Sequence, residues 1–183
     1  MKKKPIYLYV LLGLETVGTL WGLVSKFSSS NDAVETLLKG VNEPAKSQYA
    51  TYFSKSAELS GSLINNIFFY VGLLLLIAAW FFVFKKDIFK ANLIYIANVL
   101  IGLIGTAYGY VVAKGIATSS FSDPSLLSSQ MLGLNFTIGF SVVVSLIFLS
   151  IVIFKCNSVY ISFIFKLIKQ QKEAESVEVA EEE

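Results

Sequence analysis

The run "LINNIFFYVGLLLLIAAWFFVF", residues 63–84, holds 22 consecutive residues without one charged side chain. At ~1.5 Å of rise per residue a helix of that length reaches about 33 Å, the thickness of a bilayer's hydrocarbon core. The run is continuous and not alternating, so it lacks the period-2 signature of a barrel strand and reads as a spanning helix. Inside lipid that is also what backbone chemistry demands, because only helices and closed barrels satisfy every N–H and C=O group. Three more apolar runs of about that length occupy residues 5–24, 92–113 and 132–154, the first interrupted by Glu15 and the other two uncharged. The whole chain of 183 residues is 55% hydrophobic and 15% charged, with a mean hydropathy of +0.66. The predicted fold class is an all-α integral membrane protein with four transmembrane helices, a single membrane domain over residues 1–183.

The chain has no His, no Arg and one cysteine, Cys156. Imidazole catalysis, His metal ligation, a bidentate guanidinium clamp and an intrachain disulfide are therefore ruled out together. No phosphate loop, zinc spacing or calcium loop is present. A net charge of +2 spread along the chain does not form a nucleic-acid surface. The expectation is a non-enzymatic protein with no cofactor, no metal and no nucleic-acid partner.

Orientation follows from lysines, which favour the cytoplasmic side. "MKKK" at the start, "KKDIFK" at 85–90, and Lys155, Lys166, Lys169 and Lys172 after the last run share one side if four helices span. Both termini are then cytoplasmic. Lysine without arginine points to an AT-rich bacterial genome, and so to a bacterial plasma membrane. Residues 25–62, a long outer loop, carry Lys26, Lys39, Lys46 and Lys55 balanced by Asp32, Glu35, Glu43 and Glu58. A cleaved signal peptide is not expected, since the first apolar region is too long, Glu15 interrupts it and no small-x-small site comes after it.

The chain also repeats itself. "GTLWG" (Gly18–Gly22) and "GTAYG" (Gly105–Gly109) share Gly-Thr-x-aromatic-Gly at an offset of 87 residues. Asn65 lies 20 residues before Lys85, as Asn135 lies 20 before Lys155. The reading is a tandem duplication of a helical hairpin, a parallel repeat with its pseudo-two-fold axis along the membrane normal.

Small and polar residues cluster on helical faces. Glu15, Gly18, Thr19 and Gly22 form one face of the first helix, and Asn98, Gly102, Gly105 and Gly109 one face of the third. Thr137, Ser141 and Ser145 make a stripe on the fourth. In lipid, small residues allow close backbone approach and hydroxyls bond across the contact. Gly18, Thr19, Gly22, Gly102, Gly105, Gly109, Ser141 and Ser145 are thus candidate helix-packing positions joining the first, third and fourth helices. Glu15 is different: ~15 Å of helix separates it from Pro5, near mid-membrane, where an ionised carboxylate costs several kcal/mol. It is a candidate buried acid that must face the bundle interior or water, with Asn98 or Ser145 as partner at similar depth and Thr106 further out.

The string "ETVGT", with "KFS" a few residues later, resembles the first helix of the small multidrug resistance transporters. The resemblance implies that Glu15, with Gly18 and Thr19 beside it, is a proton and cation site in an oligomer. It covers under two helical turns. The long outer loop and acidic tail depart from that family, and the Trp-Ser-Gly packing motif of its third helix is missing.

The outer loop reads as two amphipathic helices forming an extracytoplasmic cap. The first, over residues 31–41, has Ala33, Val34, Leu37, Leu38 and Val41 at helical spacing, Asn31 or Asp32 as cap, and Gly40 with Glu43-Pro44 as its end. The second, from Ala45 towards Gly61, carries Tyr49, Tyr52 and Phe53 on one face, a candidate outer partner surface. Residues 155–172 read as a cytoplasmic interfacial helix or a continuation of the fourth span. Residues 173–183, with six glutamates and no base, read as an acidic disordered tail.

Two functions fit these residues. The leading expectation is an accessory or scaffold subunit that binds another membrane protein, or itself, through its glycine faces or outer loop. The rival is a small proton-coupled transporter or channel using Glu15. An immunity or sensor protein shares the same four-helix shape.

Overall fold

The structure, a computed structural model, describes residues 5–27, 34 and 36–181. These residues form five helices: α1 (Ile6–Phe27), α2 (Ala45–Gly61), α3 (Leu63–Phe84), α4 (Ile88–Ser120) and α5 (Pro124–Glu181). Segments of four of them, Ile6–Val24, Leu63–Phe84, Ile88–Ser120 and Pro124–Cys156, are long and apolar enough to cross a membrane. That is the composition of a multi-pass membrane protein.

Local chemistry sets each junction. A single residue, Ser62, separates α2 from α3: its backbone N–H donates to Leu59 O at 3.1 Å, and its hydroxyl accepts from Asn65 N at 3.3 Å. One residue thus ends one helix and caps the next. Asn65 Nδ2 and Asn66 Nδ2 then reach back to Ser60 O and Gly61 O at 3.1 and 3.0 Å, satisfying carbonyls that the last turn of α2 leaves free. The turn from α3 to α4 is a Schellman motif, with Lys86 N bonded to Val83 O and Asp87 N to Phe82 O, both at 3.0 Å. Lys86 adopts the left-handed conformation that this motif requires, φ 62°. Asp87 caps α4 by accepting from Lys90 N at 3.2 Å, and its other oxygen meets Lys90 Nζ at 3.1 Å. Before α5, Asp123 Oδ1 accepts from Ser125 N and Oγ at 2.8 and 2.7 Å, with Pro124 at the first helical position.

α4 is the central helix, packed between α3 and α5, while α1 leans mainly on α3. The main core lies toward the end marked by Lys85 and Lys155, here the lysine end. Leu8, Leu11 and Leu12 of α1, Leu76, Ala79 and Val83 of α3, Ala91, Tyr95 and Val99 of α4, and Val152 of α5 meet there. The outward faces are apolar and bare: Val17 and Trp21 on α1, Leu74 and Ile77 on α3, Phe136 and Phe140 on α5 are all more than half exposed.

Several boundaries differ from the expected ones. The third apolar run is helical over 88–120 and not 92–113, and the fourth helix begins at Pro124 and not 132. Bilayer length is a ruler for apolar content, whereas helix length here is set by packing: Ala117 and Phe121 are buried against Tyr52 of α2. Residues 155–172, expected as an interfacial helix or a continuation of the fourth span, and residues 173–181 of the segment expected as a disordered tail belong to α5. Their Lys, Gln, Glu and Ala residues are good helix formers. Of the first loop helix, expected over 31–41, residues 31–33 and 35 lie outside the described residues; 34, 36 and 37 are helical, with Leu38 N bonded to Val34 O at 3.0 Å. Its described end is a turn at Gly40, where φ is +88°.

Candidate functional site

Near its lysine end, α1 buries Leu8, Leu11 and Leu12 in the core it shares with α3, α4 and α5, which puts Glu15, one turn further on, over the same side. α4 answers with Asn92, Tyr95, Asn98 and Gly102, spaced by three or four residues. Asn98 Nδ2 donates to Glu15 Oε1 at 2.5 Å. Tyr95 is fully buried beside them. Its hydroxyl interacts with the Glu15 carboxyl, yet neither Tyr95 OH nor Glu15 Oε2 has a partner within hydrogen-bonding geometry. One turn closer to the lysine end, Tyr7 OH donates to Asn92 Oδ1 at 3.0 Å, and Asn92 Nδ2 has no partner. On the α3 side, Trp80 Nε1 donates to Thr16 Oγ1 at 3.0 Å, and that hydroxyl donates to Leu12 O at 2.6 Å, tying α1 to α3.

Beyond Glu15, toward the α2 end, the helices part into a cleft of about 370 Å³ walled by α1, α3 and α4. Glu15 and Asn98 lie on it, with Thr19, Asn65 and Thr106 on its walls and Phe68 and Phe69 as its aromatic side. No lysine lines it. The arrangement offers a carboxyl, two amides and two hydroxyls to whatever enters. Among the described residues no group of three Cys, Asp or Glu side chains gathers that could hold a metal ion.

The candidate packing glycines divide. A Cβ on Gly105 would stand 3.2 Å from Phe68 Cγ, and one on Gly22 3.6 Å from Phe69, so these two mark close approaches to α3. Gly18, Gly102 and Gly109 face open space. The repeated Gly-Thr-x-aromatic-Gly motif is therefore used unequally: its second glycine packs in α1, its first in α4. Ser141 and Ser145 are half-buried on α5, the helix on the far side of α4 from the cleft, so Ser145 is not the partner of Glu15 and the expected junction of first, third and fourth helices through these faces is replaced by one of first, second and third.

The aromatic face of α2 is not a free surface. Tyr52 is 8% exposed, and it and Tyr49 pack on Phe121 with ring centroids 5.4 and 5.1 Å apart. Phe53 joins the same cluster. Gln130 Nε2 donates to Tyr52 OH at 2.8 Å, and Gln48 Oε1 accepts from Ser122 N and Asp123 N at 2.9 and 3.3 Å. The expected outer partner surface is thus spent on holding α2 against the α4–α5 turn, because those rings had apolar partners within the chain.

Sequence reading gives no site role to Tyr7, Thr16, Trp80, Asn92 or Tyr95, although Ile6-Tyr7 and Ile94-Tyr95 recur as a pair in the two halves. The signal for two of them was present, since Asn92, Tyr95 and Asn98 fall at three-residue intervals on one face of an otherwise apolar helix.

Fold and site together define an all-α chain with four membrane-length helices and one carboxyl at the floor of a polar cleft. The chain belongs to the family described as a domain of unknown function (DUF8777), which matches residues 1–176. No curated protein and no solved structure matches it.

Proposed function

We propose that this chain is a multi-pass protein of a bacterial plasma membrane that binds a proton or small cation at Glu15, as a small proton-coupled transporter or channel. Its four apolar helices span, both ends lie in the cytoplasm, and α2 with the projecting ends of α4 and α5 forms the outer cap. A spanning stretch needs about 20 residues, or ~30 Å, whereas α4 has 33, so its α2 end rises well clear of the hydrocarbon. A duplicated hairpin, α1–α3 and α4–α5, is the origin of the repeated motif.

One observation carries the reading. The carboxyl of Glu15 stands at the floor of a cleft, with one oxygen held by Asn98 and the other buried without a hydrogen-bond partner. A carboxyl inside a membrane is expensive, and one left half-satisfied beside an open polar cleft has the form of a binding group. Transport is tested with Glu15→Gln and Glu15→Asp in cells and in everted vesicles, following the pH gradient as candidate cations are added. Glu15→Gln is expected to abolish cation-dependent proton movement while the protein still reaches the membrane. Normal movement in that variant overturns the role. Topology is checked separately: a membrane-impermeant maleimide should leave Cys156 unlabelled in intact cells and label a cysteine placed at Lys55.

The second reading is an accessory subunit. It draws on the open helix surface at Gly18 and Gly109 and the bare apolar faces of α1 and α5, which lipid covers equally well. Purification in mild detergent separates the two, since a monodisperse protein without a companion counts against the accessory role.

A further inference from the structure

Glu15 stands between an open half and a closed half of the bundle. Toward α2 the cleft leads outward past Thr19, Asn65 and Thr106. Toward the lysine end, Leu8, Leu11, Leu12, Ala91 and Val99 close the space. Through that closed half runs a row of polar groups: Glu15, Tyr95, Asn92 and Tyr7. On α4, Asn98, Tyr95 and Asn92 succeed one another at ~4.5 Å of axial rise, each on the face turned to α1. Asn92 and Tyr95 are both fully buried.

Three atoms in this row, Glu15 Oε2, Tyr95 OH and Asn92 Nδ2, are buried without a hydrogen-bond partner. A buried polar atom left alone costs about 1–3 kcal/mol, and native interiors leave few of them. Tyr95 OH and Asn92 Nδ2 lie one turn apart on α4, Glu15 Oε2 faces Tyr95 from α1, and the three share a single explanation. They include an acceptor, a hydroxyl that both donates and accepts, and a donor, which is the set that ordered water bridges, each molecule making two to four bonds. At the far end of the row, Tyr7 is half-buried and bonded to Asn92 Oδ1, close to where α1 begins.

We infer that Glu15, Tyr95, Asn92 and Tyr7 hold a file of water that carries protons between Glu15 and the compartment at the lysine end, while the cleft serves the opposite compartment. This rests on the reading of Glu15 as a proton-binding group. The transfer balances without any further reactant. A proton leaves Glu15 for the adjacent water, the Tyr95 oxygen accepts one proton as its own hydroxyl proton moves on, and the Asn92 amide positions water without changing its own protonation. Tyr7 passes the proton out in the same way once its hydroxyl turns from Asn92 Oδ1 to the water. Tyr95 is the titratable group facing Glu15 from α4. α3 turns Phe68, Phe69, Gly72 and Leu73 to the cleft, none of them ionisable. At Tyr7 the nearby titratable group is Cys156 of α5.

The test uses the full chain, uniformly oriented in proteoliposomes, with the Glu15 carboxyl tracked by time-resolved difference infrared after a pH jump on one side. Wild-type protein is expected to respond to jumps from either side. Tyr95→Phe and Asn92→Leu are expected to lose the response from the lysine end and to retain that from the α2 end. Tyr95→Phe is nearly isosteric, and a melting curve checks that it folds. A wild-type response from the α2 end alone, or unaltered responses in both variants, overturns the relay and leaves Glu15 as a proton site. No Glu15 response from either side overturns both.

Discussion

The bond between Glu15 and Asn98 is open to a double-mutant cycle. Asn98 is 5% exposed, and its amide is the hydrogen-bond donor to Oε1, while Oε2 already has none. Asn98→Leu therefore takes from Glu15 Oε1 its donor while Oε2 is already buried without one, at a cost of about 1–3 kcal/mol. Glu15→Leu strands the amide in turn, at a similar cost of about 1–3 kcal/mol. Replacing both at once removes both orphans and puts apolar groups of comparable size in their place, so the double variant should cost less than the sum. Polar bonds between membrane helices couple by ~0.6 kcal/mol on average and ~1.7 at most. A carboxyl acceptor puts this pair toward the upper bound, about 1.5 kcal/mol. Reversible unfolding in mixed micelles, driven by added SDS, measures all four proteins. Single effects that add up to the double within about 0.3 kcal/mol would mean that carboxyl and amide do not meet, and the floor of the cleft would have to be redrawn.

The cap, the glycines and the exposed turns each give a further expectation. Tyr52→Ala empties a site packed by Ala117 and Phe121 and should cost about 3–5 kcal/mol, read as lost hydrogen-exchange protection over 45–61 with α3 unaffected; Tyr52→Phe, which loses only the Gln130 bond, should cost about 1 kcal/mol. Gly109→Ala meets open space and should raise stability by about 0.5–1 kcal/mol, whereas a Cβ at Gly105 stands 3.2 Å from Phe68 and should give a less stable protein than Gly109→Ala in a thermal melt. The Lys90 N–H and ammonium hold Asp87 below the usual carboxylate range, and the Ser125 hydroxyl and N–H do the same for Asp123. Both carboxylates therefore stabilise their helix starts above their ordinary values and stop doing so as pH falls through the lowered ones. Melting temperature should drop on acidification in that window, and Asp87→Asn with Asp123→Asn should flatten the drop.

Much of the fold was written in the chain, at the level where single residues suffice. Glu15 and Asn98 could be placed at one depth by counting along two apolar runs, and their side chains meet. Ser62, Asp87 and Gly40 mark element ends through local chemistry that a sequence shows directly. Which faces meet is a different matter. The glycines of α1 and α4 looked like one shared interface, yet Gly22 and Gly105 both approach α3 and Gly18, Gly102 and Gly109 approach nothing. A stripe of small residues permits close packing without naming the partner. Tyr49, Tyr52 and Phe53 looked exposed because their helix is polar elsewhere; Phe121, nearly 70 residues on, covers them. Tyr95 and Trp80 had no site role in the sequence, since only the fold brings their polar atoms to Glu15 and Thr16.

The most direct measurement of the central claim is an infrared titration of the carboxyl band in lipid nanodiscs, taken as wild type minus Glu15→Gln. A Glu15 band that gains and loses intensity reversibly with bulk pH, and that shifts when Asn98 is replaced by Leu, is the expected result. A difference spectrum in which no carboxyl band attributable to Glu15 responds to pH would contradict it, leaving Glu15 a sealed structural acid.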